Sequence, residues 1–133
     1  MIDYQSKRYI AIAFIILALA VLLGAFGAHF LKENISTHYL DVYQTANRYH
    51  FIHGLGLAIV IYVLSGIANS RQTVTVALFF IIGIILFSGS LYILSIAELI
   101  GIPQLKIMGA ITPFGGVSFI MAWVYSAYLL IKS

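Results

Sequence analysis

Four long apolar stretches, separated by short polar segments, dominate the pattern of the chain. They cover about residues 9–31, 46–68, 73–99 and 105–131. A membrane-spanning helix needs roughly 20 predominantly apolar residues, so each stretch is long enough to cross a bilayer. The pattern predicts an all-α protein, a four-helix transmembrane bundle with short loops, in which residues 1–133 form a single integral membrane domain.

The polar segments predict how the spans are joined. Residues 32–47 contain helix-capping residues followed by tyrosines, which favour the headgroup level of a membrane. This segment could form an interfacial helix between spans 1 and 2, or it could extend the second span outward. Residues 69–72 and 101–104 predict two tight turns, and Pro113 predicts a kink in the fourth span.

The composition agrees with a membrane protein. Of the 133 residues, 62% are hydrophobic and only 8% are charged, whereas soluble domains carry about 25% charged residues. The net charge of +3 comes from dispersed basic residues at the ends of apolar stretches, which indicates membrane anchoring and argues against nucleic acid as a partner. The absence of cysteine excludes disulfides, thiolate metal sites and cysteine-ligated iron–sulfur clusters.

The distribution of positive charge predicts the orientation, because cytoplasmic loops are enriched in lysine and arginine. Four spans place both termini on one side of the membrane. That side carries Lys7, Arg8, Arg71 and Lys132, and the opposite side carries Lys32, Arg48 and Lys106. We therefore expect both termini to face the cytoplasm and the ends of spans 1 and 2 that meet at residues 24–54 to face outward.

Glycines are concentrated toward this outer side. Helices in lipid associate by close packing at small residues, so the glycines predict tight helix contacts. The positions expected to pack are Gly24, Gly27, Gly54, Gly89, Gly115 and Gly116.

Polar side chains gather at the same outer mouth. His50 and His53 are three residues apart and so share a helix face, while His29 ends the first span. Ionisable groups at membrane depth are candidate functional groups. They could bond one another and lipid headgroups, bind haem through His29 and His53, hold a metal with Glu98, or move protons or a small solute.

Four ordered motifs resemble those of a known family. They are residues 24–29 (Gly-Ala-Phe-Gly-Ala-His), residues 43–46 (Tyr-Gln-Thr-Ala) with Tyr49 and His53, residues 87–92 (Phe-Ser-Gly-Ser-Leu-Tyr), and residues 109–116 with Trp123. Together they resemble the domain-of-unknown-function 423 family of small bacterial inner-membrane proteins, whose eukaryotic relative is transmembrane protein 256. The resemblance implies four spans and supplies no established activity. His50 stands where the family often has glutamine, which favours the pair His29 and His53.

These observations predict a non-enzymatic component of the bacterial cytoplasmic membrane. It would bind lipid, a small hydrophobic ligand or a partner membrane protein through the mouth, and the alternative is a haem-, metal- or proton-handling protein that uses His29 and His53. The candidate site residues are His29, His53, Tyr49, Gln44, Arg48, Ser88 and Thr112. We expect no cofactor in the first case, and the expected partners are the lipid bilayer, another membrane protein or a second copy of the chain. The chain shows no Ser-His-Asp order, paired buried carboxylates or phosphate loop, which disfavours an enzyme.

Overall fold

The computed structural model describes residues 2–133, and Met1 lies outside it. The described residues form four helices, α1 (Tyr4–Asn34), α2 (Thr37–Leu64), α3 (Ser70–Ile96) and α4 (Pro103–Lys132). No strand occurs between residues 2 and 133. Short loops join the helices, and each helix packs against the next. The predicted all-α four-helix bundle is therefore confirmed.

Three of the helices, α1, α3 and α4, are long and apolar enough to cross a membrane. The remaining helix, α2, has 28 residues and carries Asn47, Arg48, His50 and His53, which lower its hydropathy. Its length corresponds to about 42 Å at 1.5 Å per residue, which exceeds the thickness of a hydrocarbon core. That α2 also spans the membrane stays a prediction from this length and from its position between α1 and α3.

The helix ends differ from the predicted spans because polar residues continue or cap the helices. α1 begins at Tyr4 rather than near residue 9, since the Asp3 side chain accepts a hydrogen bond from the Ser6 amide (3.0 Å). Hydrogen bonds from the Ser6 hydroxyl and amide hold the pKa of the Asp3 carboxyl below its usual range. α2 begins at Thr37, so the polar segment extends the second helix and forms no separate interfacial helix.

The turns follow the local chemistry of the chain. The turn predicted at residues 69–72 lies instead at residues 65–68, because Asn69 and Gln72 form a capping box that starts α3 at Ser70, with hydrogen bonds of 3.0 and 2.9 Å. Gly101 adopts φ +69°, a left-handed conformation that suits glycine, and α4 begins two residues later as a 3₁₀-helix at Pro103. The kink expected at Pro113 stays a prediction, and the helix changes type just before it, from the 3₁₀ segment Pro103–Ala110 to an α-helix. Pro113 occupies the first turn of the α-helical part of α4 (Thr112–Lys132), where its missing amide hydrogen is not needed.

Two helices contain π-helical segments, in which amides bond to carbonyls five residues earlier. The segment in α1 is Gly27–Leu31 and the segment in α3 is Ile84–Gly89. Both fall in glycine-containing motifs of the sequence. Each segment shifts the phase of its helix, and thereby changes which side chains face the neighbouring helices.

The apolar core lies near the turn between α2 and α3. Its largest fully buried members are Leu57, Ile61, Leu64, Val76 and Phe80, which come from these two helices. Four buried polar side chains, His50, Ser88, Ser90 and Ser95, lie in the other half, toward the start of α2 and the end of α3. This separation leaves the second half of the bundle as the place to look for a site.

Close helix crossings occur at several glycines. A Cβ added at Gly115 would meet the backbone of Phe87, and one added at Gly27 would meet the Tyr43 ring. At Gly24 and Gly54 the nearest atoms, from Asn47 and Ile16, would lie at 3.0 and 3.1 Å. A Cβ added at Gly89 or Gly116 would lie 3.9 Å from the nearest atom, so both positions have room for it.

Candidate functional site

One face of α2 carries a ladder of polar side chains that bond the backbone of α1. Tyr43 Oη donates to the Leu23 carbonyl (2.7 Å), and Asn47 Nδ2 donates to the Ala20 carbonyl (2.9 Å). Tyr43 and Asn47 are four residues apart on α2, and their acceptors are three residues apart on α1. The two antiparallel helices therefore stay in register through hydrogen bonds that involve the main chain of α1.

Tyr92 extends this ladder to α3. Its hydroxyl accepts a hydrogen bond from Asn47 Nδ2 (3.0 Å) and lies 3.3 Å from Nδ1 of His50. The Tyr92 ring also packs on the Tyr43 ring, with centroids 4.8 Å apart. His50 is only 3% exposed. One connected polar network thus joins α1, α2 and α3 inside the bundle.

A groove of about 540 Å³ lies beside this network, between α1 and α3. Its walls are mostly isoleucine and leucine side chains, from Ile12 to Leu23 on α1 and from Ile81 to Ile93 on α3. Met108 and Ile111, from the start of α4, line it as well. Its volume falls within the range of small-molecule sites, about 300–1,000 Å³.

Four polar side chains line the groove, and each of them is neutral or, for histidine, has a neutral form. They are the side chains of His50, Ser88, Ser90 and Tyr92. Ser90 Oγ is engaged, at 2.8 Å from the Thr112 hydroxyl and 3.0 Å from the Phe87 carbonyl that it donates to. Ser88 is fully buried, and its hydroxyl has no hydrogen-bond partner among residues 2–133. Buried polar groups are nearly always paired, so the Ser88 hydroxyl calls for an explanation.

His53 lies apart from the groove, in an aromatic cluster between α2 and α4. Its ring stacks on Phe119 with centroids 3.4 Å apart and an interplanar angle of 13°, and it also stacks on Tyr49 at 5.6 Å. Its Nδ1 lies 2.8 Å from the Tyr49 carbonyl, to which it donates in the neutral ring. His53 therefore has a structural setting of stacked rings, with Trp123 and Phe80 at its edge.

The structure does not bring His29 and His53 together. Gly54, next to His53, packs against Ile16 and Leu17 of α1, whereas His29 is exposed twelve or more residues farther along that helix. At 1.5 Å per residue the two histidines are about 18 Å apart along the helix axis. A haem or metal ligated by both does not fit this geometry. Between residues 2 and 133 no group of three or more His, Asp or Glu side chains could hold a metal ion.

The remaining predicted residues occupy three separate places. Gln44 and Arg48 line a small surface pocket of about 260 Å³ beside Gly24 and Gly27. Thr112 bonds Ser90, and Glu98 accepts a hydrogen bond from the Ser36 amide (3.2 Å). Of the candidate site residues, only Ser88 lines the groove between α1 and α3.

Asn47, His50 and Tyr92 are the groups that reasoning from the sequence left out of the candidate site. The available signal was the spacing of Tyr43, Asn47 and His50, which places three polar side chains on one face of α2. Tyr92 gave no such signal, because an isolated tyrosine in an apolar span looks like a core or interface residue.

The comparisons with known proteins agree with the architecture. A family model described as "Protein of unknown function (DUF423)" matches residues 23–116. The UPF0382 membrane protein YwdK of Bacillus subtilis is 42% identical over 126 residues, which cover 95% of this chain and 98% of that protein. The UPF0382 membrane protein SAB0533 of Staphylococcus aureus is 44% identical over 118 residues, covering 89% and 90% of the two chains.

A UPF0382 membrane protein of Staphylococcus epidermidis is 39% identical over 126 residues, which cover 95% of this chain and 97% of that one. No solved structure gives a significant match. The family model covers more than half of the chain, and the relatives align over nearly their whole length. The chain is therefore a membrane protein that belongs to the DUF423 family, also named UPF0382.

Proposed function

We propose that this protein is a non-enzymatic membrane component that holds a lipid-like ligand in the groove between α1 and α3. The observation that carries the proposal is the groove itself, about 540 Å³ of apolar-walled space with His50, Ser88 and Tyr92 among its lining. Ligand sites combine such apolar walls with a few placed polar groups. Of the three ligand classes expected from the sequence, the groove favours a lipid-like molecule.

The dimensions of the groove support an elongated occupant. Its lining runs from Ile12 to Leu23 along α1, which is about 16 Å at 1.5 Å per residue. An acyl or prenyl chain could lie along these walls while its polar end reaches the hydroxyls and the imidazole. The pair His29 and His53 does not contribute to this proposal, because the two side chains are far apart.

Gly89 offers a direct test, because it lines the groove and has room for an added Cβ. In the variant Gly89→Leu the added side chain would occupy the space of the ligand. We expect wild-type protein, extracted in mild detergent and analysed by native mass spectrometry, to retain a lipid that Gly89→Leu loses. The matched control is Gly66→Leu, at an exposed turn glycine with no atom within 4 Å of an added Cβ. Equal lipid retention by all three proteins would refute the proposal.

The orientation is part of the same proposal. We infer that the protein lies in the bacterial cytoplasmic membrane with both termini in the cytoplasm. Support comes from the side of the termini, which carries four of the seven basic residues. The polar network and the Met108 end of the groove would then lie in the outer half of the bilayer.

A further inference from the structure

We infer that the ligand of the groove is an uncharged lipid that bears a carbonyl group, and that the Ser88 hydroxyl donates a hydrogen bond to this carbonyl. The inference rests on the proposed function and narrows it to a class of ligand. Three observations support it, namely the unpaired Ser88 hydroxyl, the charge of the groove lining, and the position of Ser88 along α3.

Ser88 differs from every other buried serine between residues 2 and 133. The five others each place their hydroxyl within hydrogen-bonding distance of an acceptor, which is Asp3 for Ser6 and a backbone carbonyl for Ser90, Ser95, Ser118 and Ser126. Serine in a helix usually bonds a carbonyl three or four residues earlier. Ser88 lies within the π-helical segment Ile84–Gly89, where carbonyls are directed to amides five residues later. Its hydroxyl is therefore left without a backbone acceptor in the wall of the groove, where a ligand carbonyl reaches it once the neighbouring lining side chains move apart.

Among residues 2–133, no lysine, arginine, aspartate or glutamate lines the groove. A charged headgroup drawn into it would lose its hydration without meeting an opposite charge, which is strongly unfavourable. A carbonyl oxygen needs only a hydrogen-bond donor. Ser88 supplies one, and the Tyr92 hydroxyl lies on the same helix one turn farther along.

The position of Ser88 along α3 argues against a contact with the ester of a phospholipid in its ordinary position. Ser88 is five residues past the middle of α3, or about 8 Å along its axis. With α3 centred in a hydrocarbon core of about 30 Å, the hydroxyl lies about 7 Å below the polar boundary. A phospholipid anchored by its headgroup holds its ester carbonyls at that boundary. An uncharged lipid can sink far enough for its carbonyl to reach Ser88.

Two sources supply this chemistry, an acylglycerol and a prenylated quinone. The test titrates purified protein in detergent with dioctanoylglycerol and with its ether twin dioctylglycerol, which lacks only the two carbonyls, and follows binding by native mass spectrometry. We expect the ester to bind about five- to tenfold more tightly than the ether, the factor for one hydrogen bond. Parallel titrations use a short-tailed prenyl naphthoquinone and dioctanoyl phosphatidylglycerol. Tighter binding of the quinone than of dioctanoylglycerol would identify the quinone as the source, and the reverse would identify the acylglycerol.

The variant Ser88→Ala should bind ester and ether equally. Ser95→Ala is the matched control, because Ser95 is a buried serine of the same helix whose hydroxyl donates to the Tyr92 carbonyl (2.8 Å). We expect Ser95→Ala to keep the preference for the ester. The comparison of ester and ether on wild-type protein tests the inference even if Ser88→Ala does not fold.

The outcomes separate this inference from the proposed function. If wild-type protein binds ester and ether equally and Gly89→Leu weakens the binding of both, the carbonyl contact is overturned and the groove remains the site. Phosphatidylglycerol binding as tightly as dioctanoylglycerol would overturn the uncharged class. Binding that Gly89→Leu does not reduce would overturn the groove, and the inference with it.

Discussion

Ser88 combines full burial with a hydroxyl that has no partner between residues 2 and 133. Leaving a buried donor unpaired costs about 1–3 kcal/mol, and this cost disappears when the hydroxyl is removed. The same residue can therefore lower the stability of the lipid-depleted protein and raise its affinity for a ligand. Such opposite effects at one position distinguish a binding residue from a purely structural one.

We expect Ser88→Ala to raise the free energy of unfolding of lipid-depleted protein by about 1 kcal/mol, because it removes this unpaired donor. Ser118→Ala is the comparison. Its hydroxyl donates to the Phe79 carbonyl across two helices (2.7 Å), and the loss of such a bond in a membrane protein costs about 0.6 kcal/mol. Thermal unfolding in detergent should shift upward for the first variant and downward for the second. A downward shift for both would show that Ser88 has a partner in the protein.

The helices themselves depend on a close crossing between α3 and α4. An added Cβ at Gly115 would meet the Phe87 backbone, which cannot move without disturbing the π-helical segment of α3. A Cβ added at the next residue, Gly116, would lie 3.9 Å from the nearest atom, on the Phe87 ring. Two adjacent glycines thus differ in what they permit, although their sequence context is nearly the same.

Gly115→Ala should lower the free energy of unfolding by about 1–3 kcal/mol, the usual cost of overpacking. Gly116→Ala should change it by about 0.5 kcal/mol or less. Thermal unfolding in detergent measures both. Similar melting temperatures for the two variants would contradict the crossing at Gly115.

Helix positions could be predicted from the sequence because apolar length and capping residues are local properties of the chain. The sequence does not decide whether α2 continues back to Thr37, since Tyr39, Leu40 and Tyr43 suit an interfacial helix as well as a helix extension. The π-helical segments could not be predicted. Their hydrogen bonds depend on packing against other helices, such as the contact of Gly27 with Tyr43.

The site was harder to predict than the helices because it is a property of pairs of helices. Histidines are conspicuous in an apolar sequence, but the sequence does not reveal that His53 stacks on Phe119 or that His29 is exposed. Ser88 is a candidate site residue because it belongs to the motif of residues 87–92, and not because of its chemistry. The lack of a backbone partner for its hydroxyl follows from the helix type around it, which only the structure shows.

For the whole molecule, the arrangement of charge predicts that the two ends of the bundle lie on opposite sides of the membrane. The chain has no cysteine, so single cysteines can be introduced at exposed loop and terminal positions without background. We expect a membrane-impermeant maleimide to label Ser36→Cys and Gln104→Cys in intact spheroplasts. Ser70→Cys and Ser133→Cys should react only after permeabilisation. The reverse pattern would invert the proposed orientation, and labelling of Ser36→Cys and Ser70→Cys from the same side would show that α2 does not span.

The ladder between α1 and α2 has a consequence for how the family can vary. The acceptors on α1 are the main-chain carbonyls of Ala20 and Leu23, which any residue at those positions would present. The donors on α2 are the side chains of Tyr43 and Asn47, which few residue types can replace. Mutational tolerance should therefore be one-sided. Along this seam α1 is limited mainly by the size of its side chains, whereas α2 is limited by their chemistry.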